Sequence, residues 1–309
     1  MCGRYTQTLS ADDLADAMSA RDDTGGEVRE RYNVAPTTTQ PIVTAGQPPA
    51  SGAPDATPTA DTPTGGAAAA GDAARVLRLA RWGLVPSWAK DVSIGSRMIN
   101  ARSETVSEKP VFRKAFASRR CLVPVTGFYE WHRPEKKKRG QPYFIHRGAH
   151  PGVGPEGPLL AFAGLFEVWR GGEQPLVTYT ILTTGPAVGL EFLHDRSPVV
   201  LPAATWERWL DPGYQDTDAL RKLLAPAPAG VFEAYPVGSE IGNVRNQGPT
   251  LVERVELPPG TPDPRTAVPA HAPVAGEPTD LFADPEAADR PQPAGQPPLE
   301  LSQFTDDAR

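Results

Sequence analysis

A stretch dense in proline and glycine is a poor candidate for a packed core. Proline lacks a backbone donor and fixes φ, and glycine gives up the most conformational freedom on folding. The 309 residues include 36 Pro and 29 Gly, too many for one compact domain, and they gather in two places. Residues 44–74 contain no aromatic residue, Lys or Arg and read as a flexible insertion. Residues 257–309 are rich in Pro, Ala and acid and are expected to be disordered; their apolar pair Leu281-Phe282 is too small to found a core. The folded domain is therefore expected within 1–256, less the insertion, and 39% hydrophobic residues suffice for one substantial core or two smaller ones.

Charge follows the same division. The tail holds nine acids against three arginines, 3 − 9 = −6, which equals the formal net charge of the whole chain. Asp55, Asp61 and Asp72 in the insertion leave the remainder at +3, a mildly basic domain compatible with a polyanionic partner. The two cysteines form no CxxC pair and the five histidines show no HxxxH or HExxH spacing, so neither a metal nor another cofactor is expected. Cys121, in the apolar run CLVPV, reads as a core thiol. Ser10 to Arg21 is too charged for a signal peptide and no run is long enough to span a membrane; a cytosolic, reduced protein is expected.

In chain order, Ser10 starts a short helix with Leu14 and Met18 on one face, and Arg31 to Pro36 is an extended or turn segment. Val76 to Trp82 alternates as a strand before the loop RWGLVPSWAKD, whose Trp88 is either a lid on the core or a platform for a ligand. Val111 to Phe116 has helical spacing, with Arg113, Lys114, Arg119 and Arg120 expected outward. Strands are expected over Cys121–Val125, Gln141–His146, Leu159–Trp169, Val177–Thr184 and Val231–Val237, with hairpin loops at Arg133–Arg139 and Gly148–Pro158 and two closing helices, Thr205–Leu210 and Asp218–Leu224.

The chemistry points to the first five residues, Met1-Cys2-Gly3-Arg4-Tyr5. Removal of Met1 would leave Cys2 with an α-amine titrating near roughly 7.7–8.0 and a thiol near roughly 8.5, a 1,2-aminothiol able to close on an aldehyde as a thiazolidine. The alternative is a small residue after a start codon, unless the chain supplies partners. Glu130, among aromatics in GFYEW, is either a general acid tuned by desolvation or an edge-strand glutamate. His194, beside Asp195 and Arg196, is a proton shuttle or a structural histidine.

The segments MCGRY, RYNVAP, RWGLVPSWAKD, NARSET, RRCLVPVTGFYEW, AFAGLFEVW, ILTT, HDRSPV and VRNQGP, in this order, resemble the SOS response-associated peptidase (SRAP) family, whose eukaryotic members shield abasic sites. The resemblance covers nearly all of residues 2 to about 256 except the insertion. It implies an α+β fold of antiparallel strands forming a barrel-like core with flanking helices, and a groove for single-stranded DNA. It also implies a reversible covalent thiazolidine link between the N-terminal cysteine and an abasic deoxyribose, in a protein acting as a monomer. Carried over, Cys2 is the nucleophile, Asn100 hydrogen-bonds the linkage, Glu130 assists ring opening and reversal, and His194 moves protons at the Schiff base. Arg4, Arg102 and Ser103 hold phosphates, and Trp88 and Trp131 line the stacking groove. Ser197 stands in HDRSPV where family members usually carry Met. The alternatives are a cysteine peptidase using Cys2, Glu130 and His194, an N-terminal nucleophile amidohydrolase, and a noncatalytic single-strand binder.

Overall fold

The computed structural model describes residues 2–46, 75–133, 140–148 and 158–257. Among these the strands are β1 (Tyr5–Gln7), β2 (Arg21–Asp22), β3 (Arg31–Val34), β4 (Thr39–Ala45), β5 (Arg75–Trp82), β6 (Asn100–Arg102), β7 (Arg120–Val125), β8 (Gly127–His132), β9 (Gln141–Arg147), β10 (Leu160–Trp169), β11 (Leu176–Thr184), β12 (Ser197–Pro198) and β13 (Phe232–Pro236). The α-helices are α1 (Ala11–Met18), α2 (Arg113–Ser118), α3 (Trp206–Leu210) and α4 (Thr217–Lys222). The tail 258–309 and most of the insertion and of the two expected hairpin loops lie outside the described residues.

Five strands close on themselves. β11 pairs β10, β10 pairs β7, β7 pairs β4 and β4 pairs β5, all antiparallel, and β5 returns to β11 in parallel through Thr178↔Arg81 and Tyr179↔Trp82. The fold is α+β around this barrel. Strand alternation sorts its side chains. Cys121, Val123 and Val125 of β7, Phe162 and Phe166 of β10, and Tyr179 and Ile181 of β11 share one buried cluster. Leu122, Ala161, Ala163, Leu165 and Leu182 pack on the other side with Leu14 and Met18 of α1, Phe116 of α2, Trp206 and Trp209 of α3 and Leu220 of α4. Gly164 stands opposite Cys121, and a Cβ there would meet Cys121 Sγ at 2.8 Å and Thr180 O at 3.1 Å, so the inner wall requires glycine at this point. A second sheet, in the order β13-β9-β8-β1-β3, lies beside the barrel.

Local chemistry explains the elements. Ser10 caps α1 in a reciprocal capping box with Asp13, and Leu14 and Met18 are buried one turn apart. β4 contains Pro41, which ordinarily demotes a strand. Its pairing with β7 is confined to Val43 and Thr44, so the missing N–H at Pro41 breaks no bond of that ladder. Because β4 runs through Ala45, Thr44 and Ala45 belong to the barrel rather than to the insertion. A second correction concerns Arg120, expected outward on a helix. It opens β7 and is 1% exposed, its guanidinium donating to the carbonyls of Trp209 (2.5 Å), Phe116 (2.7 Å), Ala117 (2.6 Å), Tyr214 (3.0 Å) and Asp211. The acceptors at the end of α2 and around α3 needed a cation more than the surface did. Burial lowers Arg120 to about 10, so it is charged at neutral pH. Among the described residues no helix is long and apolar enough to cross a membrane.

Candidate active site

The N-terminal strand reaches the barrel cluster through Tyr5. β1 lies between β3 and β8, with Tyr5 opposite Val34 on one side and Phe128 on the other. The Tyr5 ring lies 5.1 Å from that of Trp82, and its hydroxyl is 2.6 Å from that of Tyr179. Cys2 follows this anchor inward and is fully buried within the barrel cluster. Asn100 is brought alongside by β6, which runs parallel to β11 with Asn100 opposite Ile181, and its Nδ2 donates to the Cys2 carbonyl at 2.8 Å. Asn100 Oδ1 is buried and accepts no hydrogen bond, leaving an acceptor beside the cysteine.

β8 supplies Glu130. Along it Phe128 belongs to the barrel cluster and Tyr129 to the second sheet's own cluster, so the period of two turns Glu130 toward the barrel and Cys2. Glu130 is buried rather than facing solvent at an edge. Burial pushes the Cys2 thiol well above its ordinary value, and the Glu130 carboxylate pushes the same way. The positive N-terminus, and more weakly the Arg4 backbone N–H, pull it the other way. The resting thiol is therefore protonated at neutral pH.

His194 stands in the turn between β11 and β12. Its Nδ1 accepts from the Arg196 N–H at 3.0 Å and lies 2.6 Å from Asp195 Oδ1. As the acceptor of that bond, Nδ1 of the neutral ring carries no proton, which places the ring N–H on Nε2. Arg196 is gripped by Glu104 at 2.5 and 2.9 Å and donates to Thr183 O at 2.5 Å, tying this turn to the segment that follows β6.

The remaining candidates divide. Arg102 is exposed on β6 two residues from Asn100, and Trp88 is 65% exposed in the turn after β5. Ser103 is buried, with its N–H on Thr183 O at 2.9 Å. Trp131 is half-buried against the second sheet's cluster. Arg4 turns inward, its Nη1 donating to Asn33 Oδ1 at 2.9 Å and to Ile241 O at 3.1 Å. Asn33, Gln247, Glu104 and Arg196 carry much of the bonding, yet sequence reasoning did not single them out. Their signal was membership of the motif segments RYNVAP, NARSET, HDRSPV and VRNQGP. Among the described residues no group of three or more His, Cys, Asp or Glu could hold a metal ion.

The family model for SOS response associated peptidases matches residues 1–244. The abasic site processing protein YoqW of Bacillus subtilis is 38% identical over 255 residues, spanning 82% of this chain and 99% of that protein. The abasic site processing protein HMCES of Gallus gallus is 32% identical over 286 residues, spanning 83% and 79%. A crystal structure of a protein from Bacteroides thetaiotaomicron shares the fold, with a TM-score of 0.64 at 23% identity over 82% of this chain and 100% of that one. The chain belongs to the SOS response-associated peptidase family.

Proposed function

We propose that this protein recognises abasic sites in single-stranded DNA and links to them covalently and reversibly through Cys2 once Met1 is removed. The observation that carries the reading is the placement of Cys2: buried, held at its carbonyl by Asn100, and close enough to Glu130 for the carboxylate to raise its thiol. Membership of a family whose named relatives process abasic sites supports it.

The steps follow from the groups present. The freed α-amine attacks the aldehyde carbon of the ring-opened deoxyribose. The carbinolamine hydroxyl leaves as water with a proton supplied from the His194 side, giving an iminium ion. Cys2 sulfur then adds to the same carbon, its proton passing to Glu130 and the C=N π pair to nitrogen. The sum is aminothiol plus aldehyde giving thiazolidine plus water, and the reverse path releases the DNA. Asn100 holds the cysteine while the ring forms. Arg102 and Ser103 meet the DNA backbone, and Trp88 and Trp131 offer faces for splayed bases.

The test is incubation with abasic single-stranded oligonucleotide, followed by denaturing electrophoresis. Adduct is expected from the unmodified sequence, and none from Cys2→Ala, which should retain reversible binding. A stable adduct from Cys2→Ala would overturn the mechanism. Peptidase action by the same residues remains a second reading, and its measure is cleavage of the Met1–Cys2 bond by the protein itself.

A further inference from the structure

The family resemblance implies a phosphate ligand at Arg4, but the bonds of Arg4 lead elsewhere. Its carbonyl accepts from Tyr129 N at 3.0 Å, and its Nη1 is committed to Asn33 and Ile241. Asn33 is 2% exposed, and its Nδ2 donates to the carbonyls of Asn243 (2.9 Å), Asn246 (3.2 Å) and Ile241 (3.3 Å). Gln247 lies against β3 as a neighbouring strand would. Its Oε1 accepts from Tyr32 N (3.0 Å) and Asn33 N (3.2 Å), and its Nε2 donates to Asn33 O (3.1 Å). Three segments remote in sequence thus converge on one arginine two residues from the nucleophile.

We propose that Arg4, Asn33 and Gln247 form a positioning device for the Cys2 thiol, with Arg4 fixing the N-terminal strand instead of binding a DNA phosphate. The inference rests on the thiazolidine reading. Ring closure needs the Cys2 sulfur held at the iminium carbon, and Arg4 stands two residues further along the chain with its carbonyl and its guanidinium both tied down. The N-terminal segment keeps its aim only while the arginine is held. Asn33 holds the side chain, and Gln247 holds Asn33. Asn33 and Gln247 are positioning residues, since they act through Arg4.

The experiment compares two aldehydes with the full chain: an abasic oligonucleotide, and free 2-deoxyribose, which carries no phosphate and whose adduct is read by mass. Gln247→Ala and Arg4→Ala are expected to lower the maximal crosslinking rate by on the order of 10- to 100-fold, the scale of a small misplacement of reacting groups. The DNA concentration at half-saturation should stay within about twofold, and the deoxyribose rate should fall by the same factor as the DNA rate. Arg4→Lys, which can still donate to Asn33 Oδ1, should recover part of the loss. Gln247→Glu keeps the acceptor for the two N–H groups and loses the donor, so it should fall between Gln247→Ala and the parent; a melting curve identifies any variant that has unfolded. A raised half-saturation in Arg4→Ala with an unchanged deoxyribose rate would make Arg4 a phosphate ligand and overturn the inference. Unchanged rates in folded Gln247→Ala or Gln247→Glu would do the same. Absence of any adduct from the parent protein would instead overturn the thiazolidine reading beneath it.

Discussion

In the barrel, β10 pairs with β7 over Leu160–Leu165 and with β11 over Gly164–Trp169, and the strands send Val123, Phe162 and Ile181 into one apolar cluster. In the neighbouring sheet, β1 meets β3 only at Tyr5 and Gln7, with an irregular register between. There the join is completed by side chains, Arg4 on Asn33 and Gln247 on the β3 backbone. Regular ladders resist local rearrangement because each bond is supported by its neighbours. A join made of single side chains can be tuned one residue at a time. Cys2 lies where the two regions meet, so the barrel supplies a dry environment for its thiol while the second sheet supplies Glu130 and the anchorage of Arg4.

The largest effect that sharpens this comparison is kinetic. A positioned acid or base contributes about 10²- to 10⁴-fold, so Glu130→Gln should slow both adduct formation and its reversal by an amount in or below that range, with little change in melting temperature. The measurement is a time course on abasic single-stranded DNA, paired with release of preformed adduct into a trap for free protein. Reversal as fast as in the parent would reduce Glu130 to a holder of the strand.

The matching change on the barrel side is Arg120→Met, which preserves much of the stem volume and removes the donors. The carbonyls of Trp209 and Phe116 would lose a partner in a buried place, and those of Ala117, Asp211 and Tyr214 in a part-buried one. Each unsatisfied group costs about 1–3 kcal/mol, so a loss of about 3 kcal/mol or more is expected in chemical denaturation, with the crosslinking rate of the folded fraction unchanged. A stable Arg120→Met protein that fails to crosslink would break the division of labour.

How far the sequence could be read follows the same line. The barrel strands β5, β7, β10 and β11 announced themselves through alternation and β-branched runs, and α1 through its cap. β4 escaped because Pro41 and the adjacent low-complexity segment imitate a loop, and β6 because three residues carry no period. Arg120 was placed outside because charge ordinarily decides exposure, and only the tertiary arrangement of α2 and α3 shows the carbonyls that draw it in. At the site, Cys2, Asn100 and Glu130 were legible through motif resemblance, and they meet in space. The inward turn of Arg4 was not legible, since its acceptor Ile241 O is a backbone atom 237 residues away.

The smallest predicted effect concerns the two thiols, one on each side of the comparison. Cys2 and Cys121 are both fully buried, and burial raises each above the ordinary value of a cysteine thiol. Buried Tyr5, Tyr129 and Tyr179 are likewise raised above 10.0. Above pH 9 the unfolded chain sheds thiol protons that the folded chain keeps. Stability is therefore fully present below that pH and falls as pH rises, by up to about 1.4 kcal/mol per pH unit for each group. Arg120 acts oppositely from about 10 upward, because there the folded chain is the one that loses the proton, but that lies at the top of the range measured. Chemical denaturation at intervals between pH 7 and 10 should show a plateau and then a decline. Cys121→Ala and Cys2→Ala should each remove roughly a third of the decline between pH 9 and 10, since the two thiols titrate first and the buried tyrosines supply the rest. If Cys121→Ala flattens the curve and Cys2→Ala leaves it unchanged, the Cys2 sulfur is solvated in the folded protein. The dry environment assigned to it by the barrel would then have to form only when DNA closes over the site.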